Sequence, residues 1–169
     1  IGALNYLSSQ QVNSIYFLPL NLGGDGCETY PFVDASGSAS ANSRYDISKL
    51  EQWTMVMEHA QARGIALHFV LNETESGNEQ WLDGGTLGVE RKLFYRELIA
   101  RFGHLLAIKW NLSEENDFSD NELREFADYI SALDWANHQL TVHTHPDRLD
   151  QYNGVLGNVN FDTTSIQYE

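Results

Sequence analysis

Apolar stretches of strand length recur along the chain, and each one ends in polar residues before an amphipathic stretch begins. The apolar stretches contain few polar positions, as is typical of strands that are covered on both faces. Five such strands are predicted, at residues 14–21, 65–73, 106–112, 139–145 and 164–168. Their alternation with amphipathic stretches is typical of successive β–α units.

Three amphipathic helices are predicted, over residues 48–64, 89–103 and 119–133. In the first helix, Ser48 and Glu51 are spaced as a capping box, and Gly64 stands where a left-handed C-terminal cap is needed. In the third helix, Ser119 and Glu122 have the same capping-box spacing. Because helices connect the strands, neighbouring strands should be parallel, with right-handed crossovers.

Two folds share this alternation: the open doubly wound sheet and the closed eight-stranded barrel. Length favours the open sheet, since the chain has 169 residues, whereas a complete barrel typically needs about 250. However, the glycines at 23–26 lead into a long loop and not into the phosphate-binding turn of a dinucleotide fold. The chain also begins within a predicted helix and ends directly after a predicted strand. We therefore predict an α/β fold in which residues 1–169 form a single domain, a fragment of a larger (β/α)8 or TIM barrel.

Composition and charge narrow the classes of partner. Acidic residues outnumber basic ones by 24 to 10, and the resulting net charge of −14 argues against nucleic acid as a partner. No apolar run approaches the roughly 20 residues that span a bilayer, so no membrane partner is expected. Cys27 is the only cysteine, which excludes an internal disulfide.

Polar side chains cluster where the predicted strands end. In either fold the carboxyl ends of the strands form the functional edge. Taken alone, a carboxylate at a strand end is more typical of a helix N-cap or a solvated loop than of a functional site. Together with Trp110, whose face could stack on sugar C–H groups, they favour a polyhydroxylated ligand. The residues are Asn21, Asp25, His68, Asn72, Glu73, Glu75, Asn111, Glu114, Glu115, His143, His145, Gln167 and Glu169.

Several longer segments carry a resemblance to a known family. They are GALNYL (2–7), NSIYFLPLNLGGDG (13–26), RYDISKLEQW (44–53), LDGGTLGVERKLFYRELIARFGH (82–104), KWNLSEEN (109–116) and SIQ (165–167). Over essentially its whole length the chain resembles the catalytic barrels of clan A glycoside hydrolases. Within that clan it is similar to glycosidase-like barrels that accompany an N-terminal DUF5060 domain. The resemblance implies a retaining glycosidase with an acid/base Glu after the fourth strand, a nucleophile Glu after the seventh and no cofactor.

The resemblance also implies a register for the barrel. If residues 106–112 are the fourth strand, the chain supplies strands two to six. Glu115 then takes the acid/base position, and Glu114 stands where the family has an Asn, so Glu115 is the preferred catalytic residue of the two. The expected substrate-binding residues are Asn21, Asp25, His68, Glu73, Asn111, His143 and Gln167. Because retaining hydrolysis needs two carboxyl groups about 5 to 5.5 Å apart, and the second lies on a strand beyond this chain, we expect the chain alone to be inactive.

Two other functions remain open at this point. One is a non-catalytic carbohydrate-binding or degenerate barrel. The other is a metal-dependent hydrolase, since His143 and His145 are spaced to place two imidazoles on one face of a strand.

A partial barrel also has consequences for assembly and location. Open sheet edges at 14–21 and 164–168, with apolar side chains facing the lumen, predict a homo-oligomer, most simply a dimer. The acid-rich composition favours a secreted or periplasmic polysaccharide-degrading protein.

Overall fold

The structure is a computed structural model and describes residues 1–23 and 29–168. Its α-helices are α1 (Gly2–Ser9), α2 (Ala39–Asn42), α3 (Ile47–Ala62), α4 (Val89–Phe102) and α5 (Asp120–Leu133). Its strands are β1 (Ser14–Phe17), β2 (Ala66–Val70), β3 (Ile108–Asn111) and β4 (Gln139–Thr141). Short 3-10 helices cover Glu75–Gln80, Asp83–Gly85 and Leu149–Tyr152. The strands form one parallel sheet in the order β1-β2-β3-β4, which confirms the predicted α/β fold with parallel strands.

One layer of large apolar side chains runs across the sheet on its helix-covered face. Phe17 pairs with Phe69, Phe69 with Trp110, and Trp110 with Leu140 in the strand register. The rings of Phe69 lie 5.4 Å from Phe17 and 5.2 Å from Trp110, in the tilted and edge-on geometries that aromatic pairs prefer. Burial of this layer against the helices supplies the main hydrophobic stabilisation of the sheet.

The amphipathic character predicted for three helices is confirmed, because α3, α4 and α5 each bury one apolar stripe. Because residues three or four apart share a helix face, each stripe packs as a unit. The buried residues are Leu50, Met57 and Ala60 in α3, Phe94, Leu98 and Phe102 in α4, and Leu123, Phe126 and Ile130 in α5. Among the described residues, no helix has the length and apolar content that crossing a bilayer requires.

The opposite face of the sheet, which would face the lumen of a barrel, is polar. Tyr16, His68 and Lys109 are neighbours across β1, β2 and β3, and the ring of Tyr16 lies 4.3 Å from that of His68. The expectation of apolar lumen-facing side chains is therefore wrong. The reason is the strand period of two, which sends the apolar positions to the helices and the intervening polar ones to the lumen.

Trp110 illustrates the same alternation. It is 1% exposed, and its indole Nε1 donates a hydrogen bond of 3.0 Å to Asp134 at the end of α5. Trp110 therefore packs under the helices, and it is not among the side chains at the strand ends, where we predicted that it stacks on a sugar.

The predicted fifth strand at 164–168 is reduced to one parallel bridge, between Ser165 and His143. Beside β4, hydrogen bonds from side chains to backbone carbonyls take the place of some of the backbone hydrogen bonds of a regular strand pair. The Thr141 hydroxyl donates to the Thr163 carbonyl at 2.8 Å, and the Tyr152 hydroxyl lies 2.6 Å from the Val142 carbonyl. Extended backbone thus runs beside β4 without forming a regular ladder.

The helix ends confirm one predicted capping box and correct the other. Ser119 and Glu122 cap α5 reciprocally, and Gly64 has the left-handed φ of 72° expected after α3. The Ser48 box is wrong, because α3 begins at Ile47 and Asp46 accepts the hydrogen bond from the Lys49 amide at 3.0 Å. Ser48 already lies within the first helical turn and cannot act as the N-cap.

Candidate active site

A small cavity lies at the carboxyl ends of β2 and β3. Its volume is about 100 Å³, and Glu73, Thr74, Glu75, Glu114, Glu115 and Gln167 line it. The structure therefore brings four of the predicted site residues together: Glu73, Glu114, Glu115 and Gln167. They meet because parallel strands place their carboxyl ends along one edge of a sheet.

Pairing between β2 and β3 continues past the strand ends and fixes Glu114. The Glu114 amide donates to the Asn72 carbonyl at 2.9 Å, and the Glu114 carbonyl accepts from the Thr74 amide at 3.2 Å. Glu114 also forms a parallel bridge with Glu73. The backbone on the β2 side of the cavity is therefore held by regular hydrogen bonds.

Pairing towards β4 fixes the residues on either side of Glu115. The His143 amide donates to the Ser113 carbonyl at 3.0 Å, and the Asn116 amide donates to the His143 carbonyl at 3.2 Å. Between them Glu115 has a φ of 45°, in the left-handed region that non-glycine residues seldom occupy. Such conformations persist only where surrounding contacts impose them, and they concentrate at functional sites.

The Glu115 side chain is 30% exposed, and its nearest ion-pairing partner is a histidine. Its Oε2 lies 3.9 Å from His145 Nδ1, while His145 Nε2 lies 3.0 Å from Asp117 Oδ1. A hydrogen bond from the Thr74 hydroxyl and the contact with His145 hold the pKa of Asp117 below its usual value. A partly exposed carboxyl group beside an imidazole can give up and take back a proton.

Glu79 is a buried carboxylate that the sequence analysis did not single out. It is 0% exposed, and its Oε1 accepts hydrogen bonds from the Ser113 hydroxyl at 2.5 Å and the Asp117 amide at 3.1 Å. Burial raises the pKa of Glu79 to about 7, although the hydrogen bonds from Ser113 and Asp117 oppose this rise. Glu79 therefore ties the segment that carries Glu114 and Glu115 to the preceding loop.

Arg91 lies beneath the cavity and was also missed. Its guanidinium is 0% exposed and donates to the Asn72 side chain at 3.0 Å and to the Glu79 carbonyl at 2.5 Å. It also stacks within 5.0 Å of the rings of Phe118 and Phe126. The available sequence signal was the position of Arg91 three residues before Phe94 and seven before Leu98, which puts it on the apolar face of α4. An arginine on a buried face needs specific partners.

Asn21 does not line the cavity. It is 5% exposed, its side-chain oxygen accepts from the Gly23 amide at 3.3 Å, and its backbone pairs with Thr29. The loop after β1 reaches the site through Asn78 of the 3-10 helix Glu75–Gln80: the Leu22 amide donates to the Asn78 side-chain oxygen at 2.8 Å, and the Asn78 side-chain amide donates to Glu73 Oε1 at 2.7 Å. Asp25 lies outside the described residues.

His143 lies deeper on the lumen face, next to the segment that carries Gln167. Its Nδ1 lies 2.8 Å from the Ser165 hydroxyl and its Nε2 lies 3.2 Å from the Gln167 side-chain oxygen. The Tyr16 hydroxyl approaches the same Nδ1 at 3.2 Å. These contacts connect the floor of the lumen to the rim of the cavity.

His68 and Asn111 complete this polar floor. Burial, together with the nearby charge of Lys109, lowers the pKa of His68 to about 4, so the ring is neutral at neutral pH. Asn111 is 0% exposed, and neither atom of its amide has a partner of hydrogen-bonding geometry among the described residues. Burial raises the pKa of Tyr16, an effect that the adjacent Ser165 hydroxyl opposes.

The two histidines that could have chelated a metal have different neighbours. His143 contacts Ser165 and Gln167, whereas His145 contacts Asp117 and Glu115. Within residues 1–23 and 29–168, no three His, Cys, Asp or Glu side chains are grouped in a way that could hold a metal ion.

A larger cavity, of about 780 Å³, lies at the other end of the sheet. Ser14, Ala66 and Trp135 line it, with none of the candidate carboxylates. The amino ends of parallel strands contribute to stability in barrel folds, whereas the carboxyl ends carry the chemistry. The small acidic cavity is therefore the candidate active site.

Comparison with known proteins supports the fold. No protein-family profile and no curated protein sequence matches the chain. A candidate glycoside hydrolase from Bacteroides vulgatus superposes with a TM-score of 0.73 at 14% identity, over 98% of this chain and 35% of that one. A family 5 glycoside hydrolase from the same bacterium gives 0.68 at 15% identity, over 95% and 34%. An N-acetylneuraminate lyase from Mycoplasma synoviae gives 0.51 at 16% identity, over 98% and 45%.

These matches show that the chain has the fold of part of a (β/α)8 barrel of the kind found in glycoside hydrolases. The chain spans about a third of the length of the two Bacteroides proteins. Since a lyase shares the fold, the likeness alone does not determine the chemistry.

Proposed function

We propose that the chain forms the acid/base half of a retaining glycoside hydrolase site, with Glu115 as the general acid and base. The observation that carries this proposal is the left-handed conformation of Glu115 at the carboxyl end of β3, in a cavity lined by Glu73, Glu114 and Gln167. The likeness of the fold to glycoside hydrolases supports it.

In the proposed reaction Glu115 works in two steps. Its carboxyl proton passes to the glycosidic oxygen while a second carboxylate, about 5 to 5.5 Å away, attacks the anomeric carbon. The bond between that carbon and the glycosidic oxygen breaks, the leaving group departs as an alcohol, and a glycosyl ester remains. The Glu115 carboxylate then takes a proton from the water that cleaves this ester. We place the second carboxylate on a barrel strand beyond this chain, which spans about a third of the similar hydrolases.

The neighbouring residues suit the binding of a sugar. Glu73 is 3% exposed and bonded to Asn78, which favours a fixed acceptor for a sugar hydroxyl over a nucleophile. Gln167 and Glu114 line the same cavity, and the neutral ring of His68 lies further along the polar lumen face, next to Tyr16. Carboxylates, amides and neutral imidazoles together provide the donors and acceptors that sugar hydroxyls require.

Two glutamine substitutions test the role of Glu115. In the complete protein that carries this chain, Glu115→Gln should lower kcat for polysaccharide hydrolysis by about 10² to 10⁴-fold, because the amide cannot transfer a proton. Glu114→Gln is the matched comparison: the amide still hydrogen-bonds a sugar hydroxyl, so kcat should fall by less than about tenfold. Release of reducing sugar from a panel of plant and algal polysaccharides gives the rates, and circular dichroism verifies folding.

The possible outcomes separate the alternatives. Equal activity in the two variants would remove Glu115 from the chemistry. Tight binding of a polysaccharide by the complete, unsubstituted protein without any hydrolysis would favour the non-catalytic carbohydrate-binding barrel. Hydrolysis by the 169-residue chain alone would contradict the placement of the second carboxylate.

A further inference from the structure

Glu79 closes the backbone turn that presents Glu115. It belongs to the 3-10 helix Glu75–Gln80, in the loop between β2 and α4, and its carboxylate is completely buried. Its Oε1 binds the Ser113 hydroxyl and the Asp117 amide, which flank Glu114, Glu115 and Asn116. One carboxylate therefore fixes both ends of the turn.

The rest of the protein holds Glu79 in place. Arg91 donates to the Glu79 carbonyl at 2.5 Å and to the Asn72 side chain at 3.0 Å, so α4 anchors the loop to the end of β2. A second bond from Asp117, to Oε2 at 3.3 Å, limits rotation of the carboxylate. The turn is thus closed against a rigid support, as a precisely placed catalytic group requires.

We propose that Glu79 is a positioning residue, whose buried carboxylate holds residues 113–117 in the conformation that places Glu115 at the cavity. The left-handed backbone of Glu115 supports this, because such a conformation reverts unless its flanks are held. The inference rests on the proposed function for its catalytic consequence, while the closure of the turn stands independently of it.

Two substitutions at Glu79 separate positioning from general stability. Glu79→Gln keeps one side-chain oxygen, which can take the place of Oε1 and retain the two hydrogen bonds made there. Glu79→Leu has a similar side-chain volume and removes all three hydrogen bonds to the carboxylate. Asp134→Leu is the matched control, since Asp134 is also buried and bonded, but to the indole of Trp110 under the helices and to His138, which directly precedes β4.

The kinetic test uses the complete protein and the polysaccharide that it hydrolyses fastest. Glu79→Leu should lower kcat by about 100-fold, the effect of misplacing a catalytic group by about 1 Å, with KM changed by less than about threefold. Glu79→Gln should recover most of the rate, and Asp134→Leu should keep kcat. An unchanged kcat in folded Glu79→Leu, or an equal loss in Asp134→Leu, would overturn the proposal.

Amide hydrogen exchange tests the turn without any reliance on activity. In Glu79→Leu the amide of Asp117 should exchange at least about tenfold faster, while the amides of β3 keep their protection. Protection of Asp117 that survives in this variant would overturn the proposal even if Glu115 proves catalytic. Conversely, activity that survives Glu115→Gln would remove the proposed function but leave the exchange result to decide the role of Glu79.

A milder variant covers the case in which Glu79→Leu does not fold. Ser113→Ala deletes only one of the two hydrogen bonds at Oε1. In Ser113→Ala the Asp117 amide should exchange faster than in the unsubstituted protein, and kcat should be lower. Both changes should be smaller than those expected for Glu79→Leu. No change in either quantity would count against closure of the turn by Glu79.

Discussion

At the scale of single residues, the polar floor of the lumen changes how side chains titrate. His68 faces Tyr16, Lys109 and His143, and its pKa is about 4 because burial and the charge of Lys109 disfavour the protonated ring. In an unfolded chain a histidine has a pKa of about 6.5. The folded protein therefore binds this proton less readily than the unfolded one.

This difference predicts a loss of stability in acid. The contribution of His68 is fully present above about pH 6.5 and is lost as the pH falls to about 4. His68→Gln removes this titrating group, whereas the other acidic residues and histidines titrate in both the variant and the unsubstituted protein. The free energy of unfolding of His68→Gln should therefore fall less between pH 7 and pH 4. The expected difference is on the order of 1 kcal/mol, since the ring is partly exposed and screened.

Urea unfolding at pH 7 and at pH 4 measures the effect. His104→Gln is the control, because His104 is half-exposed and forms an ion pair at 3.6 Å with the exposed Glu58. A steeper loss of stability in His68→Gln than in the unsubstituted protein would contradict the prediction.

At the scale of secondary-structure elements, the structure shows which residue begins α3. Asp46 accepts the hydrogen bond from the Lys49 amide, whereas Ser48 lies inside the first turn. Asp46→Ala should therefore lower the free energy of unfolding by about 1 kcal/mol, the usual effect of losing an N-cap. Ser48→Ala should change it by a few tenths of a kcal/mol at most.

Urea unfolding at pH 7 compares the two substitutions. Ser119→Ala provides a positive control, because Ser119 is the observed N-cap of α5. Its substitution should lower the free energy of unfolding by about as much as Asp46→Ala does. If Ser48→Ala destabilised the protein more than Asp46→Ala, Ser48 and not Asp46 would be the N-cap of α3, as the sequence first predicted.

At the scale of the whole molecule, the sheet has an outer strand on one side. Within the described residues β1 pairs only with β2, and on the other side the segment around Ser165 adds a single bridge beyond β4. Unpaired strand edges recruit further strands. We propose that the 169-residue chain associates with copies of itself through these edges.

Sedimentation over a wide concentration range tests this association. The average mass should rise with concentration, and amides of β1 should gain protection from hydrogen exchange as it does. The central strand β3 serves as the internal control, since its edges are already paired with β2 and β4. A constant monomer mass would contradict the proposal.

The sequence by itself determined the alternation of strands and helices, their parallel order and the buried stripe of each helix. These features follow from local periodicity, which is two in strands and 3.6 in helices, and the observed positions of Phe94 and Phe126 agree with it. The sequence also placed Glu73, Glu114 and Glu115 at strand ends, because strand ends are local features. Their meeting in one cavity then follows from parallel pairing.

Only the tertiary structure decided the contacts between distant segments. The bond between Glu79 and Ser113 joins residues 34 positions apart, and no local pattern marks either as a partner of the other. The left-handed backbone of Glu115 likewise depends on hydrogen bonds from two neighbouring strands. The position of Trp110 under the helices depends on the register of β3, because a shift of one residue would turn its side chain towards the lumen. Periodicity therefore sets the elements, whereas long-range hydrogen bonds and packing set the geometry of the site.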